Sequence, residues 1–323
     1  MEMHANDART RRRNGVDWCS TGQRHLITRS WGGVRWMWAL AVVGVAVGLL
    51  GLVRPAQADA RSKVAVIVME NKAYSKIVRS ANAPYINSVI PQGQLFTNYF
   101  AVINGSLHNY LAMTSGLTAK QSPPQANVFQ AIDGTGGSVA WTELEESMTG
   151  NCGAGSAGNV PGTTQPLYSR GHDPAYQYRG NSSCSQHDVP LTTATFNPAA
   201  LPSFSYIVPN QCDDMHTLPT SGQACPAFYG SNTATNTVTM GDNWLRSVVP
   251  QLLAQPDVTV LITFDEGSSK NEQVLMLELG AGVTSGTNLT AFNHYGLEAG
   301  LYNAFGLGAV PGNGATATPL PVP

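Results

Sequence analysis

The run Gly105-Ser106-Leu107-His108-Asn109-Tyr110-Leu111 sets a serine between a short turn and an apolar stretch. Residues 95–100 read as a strand before it and 107–115 as a helix after it, which puts Ser106 at a helix N-terminus. Free N–H groups and the helix dipole there stabilise an alkoxide or a phosphoryl oxygen. Serine is also a favoured N-cap, so the motif alone does not make a nucleophile. More weight comes from Glu70-Asn71 and Asp265-Glu266, each directly following an apolar run. Carboxylates gathered at buried strand ends repel one another unless a cation sits between them. A hard divalent ion held by such oxygens would lower the pKa of the Ser106 hydroxyl and polarise a phosphate. The plainer reading is that each acid caps a turn.

Seven histidines are present. His4 and His25 fall in the leader, and His187 in a serine-rich loop reads as solvated. His172, His216 and His294 each stand near an expected strand end or within a loop, where a structural role competes with a catalytic one. Asp213-Asp214 precedes His216 closely enough to orient its ring or to form a solvated turn.

These residues need elements that bring them together. Lys63–Met69 is a short continuous apolar run, the pattern of a strand buried on both faces, and Val258–Phe264 is its twin. Shorter strands are expected at 95–100, 138–141, 204–208 and 274–279. Helical patterns fall at 107–115, 127–132, 141–148, 240–254 and 295–305. Strands alternating with helices predict an α/β fold with a mostly parallel sheet, whose ligand sits at the carboxyl ends of the strands. Both acid-bearing pairs fall there. Residues 149–195 are rich in Gly, Ser, Asn and Pro, show no period, and read as a loop insertion framing the site. The Gly/Pro-rich tail, 308–323, is expected to trail over the surface. No internal repeat is visible.

The first 35 residues carry seven arginines, and residues 36–53 follow without a charge. Ala56-Gln57-Ala58-Asp59-Ala60 then offers two overlapping A-x-A sites, so 1–60 reads as a basic leader plus secretory signal. Left uncleaved, 36–53 just reaches the length of a membrane anchor. From Asp59 onward ten Lys and Arg face seventeen Asp and Glu, a net charge of minus seven. Such a surface repels polyanions, so no nucleic-acid partner is expected, and no protein partner is implied. Cys152, Cys184, Cys212 and Cys225 remain after the leader, an even count that in an exported chain reads as two disulfides. Three pairings are open, and bridges between sequence neighbours are preferred. No C-x-x-C spacing supports zinc.

Longer motifs carry a family resemblance. Val68-Met69-Glu70-Asn71 followed by Ala83-Pro84-Tyr85-Ile86-Asn87-Ser88 resembles the opening of the bacterial phosphoesterases that include acid phosphatases and phospholipases C. The segment from Ser106 through Asn109 to Gly116 resembles that family's S-x-P-N-Y-L-A-x-x-S-G, and is similar to a motif of nucleotide pyrophosphatases in the alkaline phosphatase superfamily. Ile207-Val208-Pro209-Asn210 with Asp214-Met215-His216, then Gly241-Asp242-Asn243-Trp244, Thr263-Phe264-Asp265-Glu266 and His294-Tyr295, follow in the family's order. The match runs over roughly 63–307. It is strongest to secreted mycobacterial acid phosphatases acting on phosphatidylinositol 3-phosphate.

The resemblance implies an alkaline-phosphatase-like domain over 61–307, in which the loop 149–195, with its two cysteines, reads as a disulfide-pinned insertion. It implies Ser106 as a phosphorylated nucleophile and Asn109 as a phosphate-oxygen donor. One divalent ion would be held by Glu70, Asn71, Asp265 and Glu266, with Ser106 completing the shell. His216, His294 and His172 would line the phosphate pocket. The implied substrate is a phosphorylated small molecule or a phospholipid headgroup, cleaved by a secreted phosphomonoesterase. A phospholipase C-like diesterase and an inactive exported ligand-binding protein are the alternatives. Three positions depart from the pattern: Asn104-Gly105 stands for His-Pro, His108 for the proline, and Thr217 for an acid.

Overall fold

The computed structural model describes residues 62–121 and 125–323, and it sets the apolar runs 63–69 and 258–264 side by side at the centre of a sheet. The leader, the cleavage sites and the apolar run 36–53 lie outside the described residues. In chain order the strands are β1 (Lys63–Met69), β2 (Gln94–Phe96), β3 (Tyr99–Phe100), β4 (Trp141–Glu146), β5 (Asp188–Leu191) and β6 (Phe204–Val208). They continue as β7 (Cys225–Ala227), β8 (Gly230–Asn232), β9 (Val258–Phe264), β10 (Met276–Gly280), β11 (Gly286–Asn288) and β12 (Phe292–Asn293). The helices are α1 (Tyr74–Ile77), α2 (Pro84–Val89), α3 (Ser106–Ser115) and α4 (Val128–Asp133). Then follow α5 (Pro174–Gln177), α6 (Cys184–His187), α7 (Thr237–Leu253) and α8 (His294–Phe305).

Eight strands form the main sheet in the order β11-β2-β10-β9-β1-β6-β4-β5. From β9 to β5 every neighbouring pair is parallel, and β10 runs antiparallel to β9 and to β2. Every residue of β9, and every residue of β1 after Lys63, is buried. That is why these strands read as unbroken apolar runs rather than alternating ones. Burying each Val or Ile stabilises by about 2 kcal/mol relative to exposure. The register pairs Met69 with Phe264, so Glu70 and Asp265 leave adjacent parallel strands at the same edge.

Several expectations need correction. Residues 141–148, expected as a helix, instead begin with β4, which lies between β6 and β5 and pairs in parallel with both. Strand pairing overrides the helix preference of Thr142-Glu143-Leu144-Glu145-Glu146. The strand expected at 138–141 therefore starts at Trp141. The strand expected over 95–100 breaks in two: β2 joins the main sheet and β3 pairs with β12. The tail does not trail freely. Leu320 is buried and its N–H donates to the Gly296 carbonyl at 2.8 Å. Gly296 and Gly300 on α8 permit this approach, because a Cβ at either would lie 2.5 or 2.4 Å from a tail carbonyl oxygen. Disulfides join Cys152 to Cys184 and Cys212 to Cys225, the pairing of sequence neighbours. The first pins the insertion, where Cys152 also donates its N–H to the Asp188 carbonyl at 3.1 Å.

Candidate active site

Ser106 is the first residue of α3, and Gly105 occupies the cap position with φ 115°. The serine is therefore not the N-cap, and its hydroxyl is released from that duty. Ser106 Oγ donates instead to Glu70 Oε2 at 2.9 Å. The turn before it is braced from two sides. Gly105 N–H donates to Glu266 Oε2 at 2.5 Å, and Asn109 Oδ1 accepts from Val102 N at 3.1 Å. Asn109 Nδ2 faces the Ile103 carbonyl at 2.9 Å, the Gly105 carbonyl at 3.3 Å and Glu266 Oε2 at 3.5 Å. Since the first turn of a helix lacks carbonyl partners, the Ser106 and Leu107 N–H groups have no acceptor within α3.

Glu70 is the hub of the cluster. On its Oε2 side stand Ser106 and the Asn71 amide, whose end lies 3.0 Å from Oε2 and 3.1 and 3.3 Å from the two Asp265 oxygens. Asn71 sits at φ 48° in the left-handed region, which Asn tolerates better than most residues, and its N–H donates to Asp265 Oδ1 at 3.0 Å. On the Oε1 side, His172 Nδ1 lies 3.5 Å from Glu70 and 3.7 Å from Asp214 Oδ2. Glu70 Oε1 and Asp214 Oδ2 are buried and accept no hydrogen bond.

Burial, then the charges of Asp265 and Asp214, push the Glu70 carboxyl well above its ordinary range. Burial likewise raises Asp265 to about 6 and Asp214 to about 7, and lowers His172 to about 4, which makes its imidazole neutral. Carboxylates this close can stay ionised together only with a cation among them. An amide end turned toward three carboxylate oxygens, two orphaned carboxylate oxygens and a neutral imidazole form a donor set that fits a divalent ion. Glu70, Asn71 and Asp265 would hold it beside Ser106, with His172 and Asp214 adjoining.

Three expected residues take other positions. Glu266 Oε2 is engaged by the Gly105 N–H, so this carboxylate grips the turn before Ser106. Asn109 likewise holds that turn with both ends of its amide instead of presenting a free donor. His294 is wholly buried: Nε2 donates to the Asp265 carbonyl at 2.5 Å and Nδ1 accepts from Tyr99 OH at 2.9 Å. Neither ring nitrogen is left for substrate, and burial lowers its pKa to about 4. His294 is thus a positioning residue for Asp265. His172 stacks on Tyr110 at 5.5 Å, and His216 lies 6.0 Å from it with Nδ1 against Thr217 Oγ1 at 2.7 Å.

Sequence reasoning left Asp214 and Lys72 out of the site. Asp214 was visible as a member of the Asp214-Met215-His216 motif and as a neighbour of His216, whose N–H it accepts at 2.6 Å, but not as part of the acidic cluster. Lys72 gave no signal beyond following Asn71. Its Nζ reaches the Met215 carbonyl at 2.8 Å, where Met215 has φ 83°, and the Asn71 carbonyl at 3.2 Å. Burial lowers the Lys72 pKa against the pull of Asp214, Glu70 and Asp265.

A mostly parallel α/β sheet thus carries a helix-start serine that faces carboxylates at its strand ends. Residues 75–298 match the phosphoesterase family, and the chain belongs to that family. It is similar to the phosphatidylinositol-3-phosphatase of Mycobacterium tuberculosis, 26% identical over 286 residues that cover 84% of this chain and 83% of that protein. An acid phosphatase of Aspergillus fumigatus is 26% identical over 260 residues, 74% of this chain but 54% of the fungal protein. Among solved structures, a protein in the alkaline phosphatase superfamily from Vibrio parahaemolyticus shares the fold, with a TM-score of 0.50 and 12% identity over 76% of this chain and 66% of that one. No helix among the described residues is long and apolar enough to cross a membrane.

Proposed function

We propose that the chain is an exported, metal-assisted phosphomonoesterase that works through a phosphoserine at Ser106. The observation that carries this reading is the 2.9 Å contact of Ser106 Oγ with Glu70 Oε2, in a cluster that also holds Asn71 and Asp265. A divalent ion on that cluster would supply Lewis-acid stabilisation of the serine oxygen and of the phosphate. Glu70 orients Oγ and receives its hydroxyl hydrogen. Oγ attacks phosphorus in line, the ester oxygen departs, and the N–H groups of Ser106 and Leu107 steady a phosphoryl oxygen. Water then cleaves the phosphoserine by a second in-line displacement. His216, half-buried and lowered in pKa chiefly by burial, is the side chain suited to exchange a proton with the leaving oxygen.

A cleft of about 480 Å³ opens beside Asn71, lined in part by Lys72, Lys76, Ser80, Asn82 and Val238. Ser268 and Glu272 complete a polar wall in which two lysines face one acid, which suits a polyol phosphate and with the mycobacterial relative supports a phosphoinositide headgroup as substrate. Purified protein assayed on p-nitrophenyl phosphate and on its bis ester, with and without chelator, tests the reading. It predicts faster monoester turnover, lost on chelation. Preference for the diester would favour phospholipase C-like chemistry, and no turnover of either would favour a binding protein.

A further inference from the structure

A second group of buried carboxylates lies outside the catalytic cluster. Glu143 and Glu145 stand two residues apart on β4, and the β4–β5 register pairs Glu143 with Asp188. Asp173 joins them from the cap of α5, where its Oδ1 accepts from Tyr176 N at 2.7 Å. One carboxylate oxygen from each of Glu143, Asp173 and Asp188 lies within 4.8 Å of the other two. All four side chains are buried, the most exposed being Glu145 at 2%.

Their donors are few. Glu143 Oε2 accepts from Ala175 N at 2.9 Å, and Asp173 Oδ2 from Tyr168 OH at 2.5 Å. Glu143 Oε1, Glu145 Oε1 and Asp188 Oδ1 are buried with no partner. The other Asp188 oxygen faces Cys184 Sγ at 3.6 Å, but that sulfur is in a disulfide and has no hydrogen to give. Burying unpaired carboxylates is unfavourable, and four together must either hold protons or share a cation.

We infer that Glu143, Asp173 and Asp188, with Glu145 beside them, form a second, structural site for a hard divalent cation of the calcium type. Carboxylate oxygens alone supply the ligands, as such ions prefer. The site would tie the edge strand β5 and the disulfide-pinned insertion to β4. It would also brace the loop that carries His172, since Asp173 is the next residue. The inference is independent of the catalytic ion.

Metal-depleted full chain is titrated with Ca²⁺ and, separately, with Tb³⁺, whose emission a nearby Tyr168 or Trp141 can sensitise, while equivalents bound and Tm are recorded. Wild type, Asp265→Asn, and the near-isosteric Glu143→Gln and Asp188→Asn are compared. The expected result is that Asp265→Asn still binds one equivalent, with sensitised emission and a Tm rise of several degrees. Glu143→Gln and Asp188→Asn should each lose one equivalent relative to wild type. Should both of these fail to fold, the equivalent retained by Asp265→Asn decides. If Asp265→Asn binds no ion, or if folded Glu143→Gln binds as many as wild type, the second site is overturned and shared protons account for the cluster. Failure of the catalytic reading looks different: Asp265→Asn would then match wild type while Glu143→Gln lost its ion.

Discussion

Gly105 stands where the family pattern has proline, and its φ of 115° is one a pyrrolidine ring cannot adopt. The departure is thus a change of backbone as well as of side chain, and it delivers Ser106 to the first position of α3. An added Cβ would also meet His108 Cδ2 at 2.9 Å. Gly105→Ala should therefore lower kcat roughly tenfold, since strain of this kind amounts to about 1–3 kcal/mol. Steady-state kinetics beside a circular-dichroism melt check this, and an unchanged kcat would contradict it. Ser106→Ala should reduce turnover by about a thousandfold or more without lowering Tm appreciably. Retention of a tenth of the activity would exclude Ser106 as the nucleophile. Glu70, Asn71 and Asp265 were legible in the sequence because each ends an apolar run, whereas Lys72 was not. Its role depends on the loop around Met215, some 140 positions away in the chain, and no local pattern reports that approach.

At the scale of elements, β1, β9, α3 and α8 were legible because burial on both faces, or a helical apolar period, leaves a direct mark on sequence. β4 was not. Its Glu143 and Glu145 are buried carboxylates, so a sequence in which charge normally signals solvent pointed the wrong way. Helix α8 holds a similar case in Glu298, buried among the loops of the tail and near Tyr178 and Tyr302, where burial lifts its carboxyl from 4.5 to about 9. Between those values the folded chain keeps a proton that the unfolded chain releases. The stability present at low pH is therefore lost as pH rises toward 9. Glu298→Gln removes this dependence. The Tm difference, variant minus wild type, should grow by several degrees from pH 5 to pH 8, and a difference that stays flat across that range would contradict the assignment.

Across the whole molecule, a divalent ion held at the acidic strand ends would link metal binding to stability. An ion that binds only the folded chain adds stability by mass action, so chelation should lower Tm as well as activity, and adding divalent metal back should restore both. Differential scanning fluorimetry with elemental analysis on one sample checks this; full activity in metal-free protein would rule out metal assistance. The two disulfides predict that the chain without its leader titrates no free thiol when denatured unreduced. The central claim is that phosphate passes through Ser106, which requires two in-line displacements at phosphorus. The most direct test is the stereochemical course of hydrolysis of an isotopically chiral phosphorothioate monoester in isotopically labelled water. Net retention of configuration is the predicted result. Net inversion would mean that water attacks the ester directly, and would contradict the phosphoserine route.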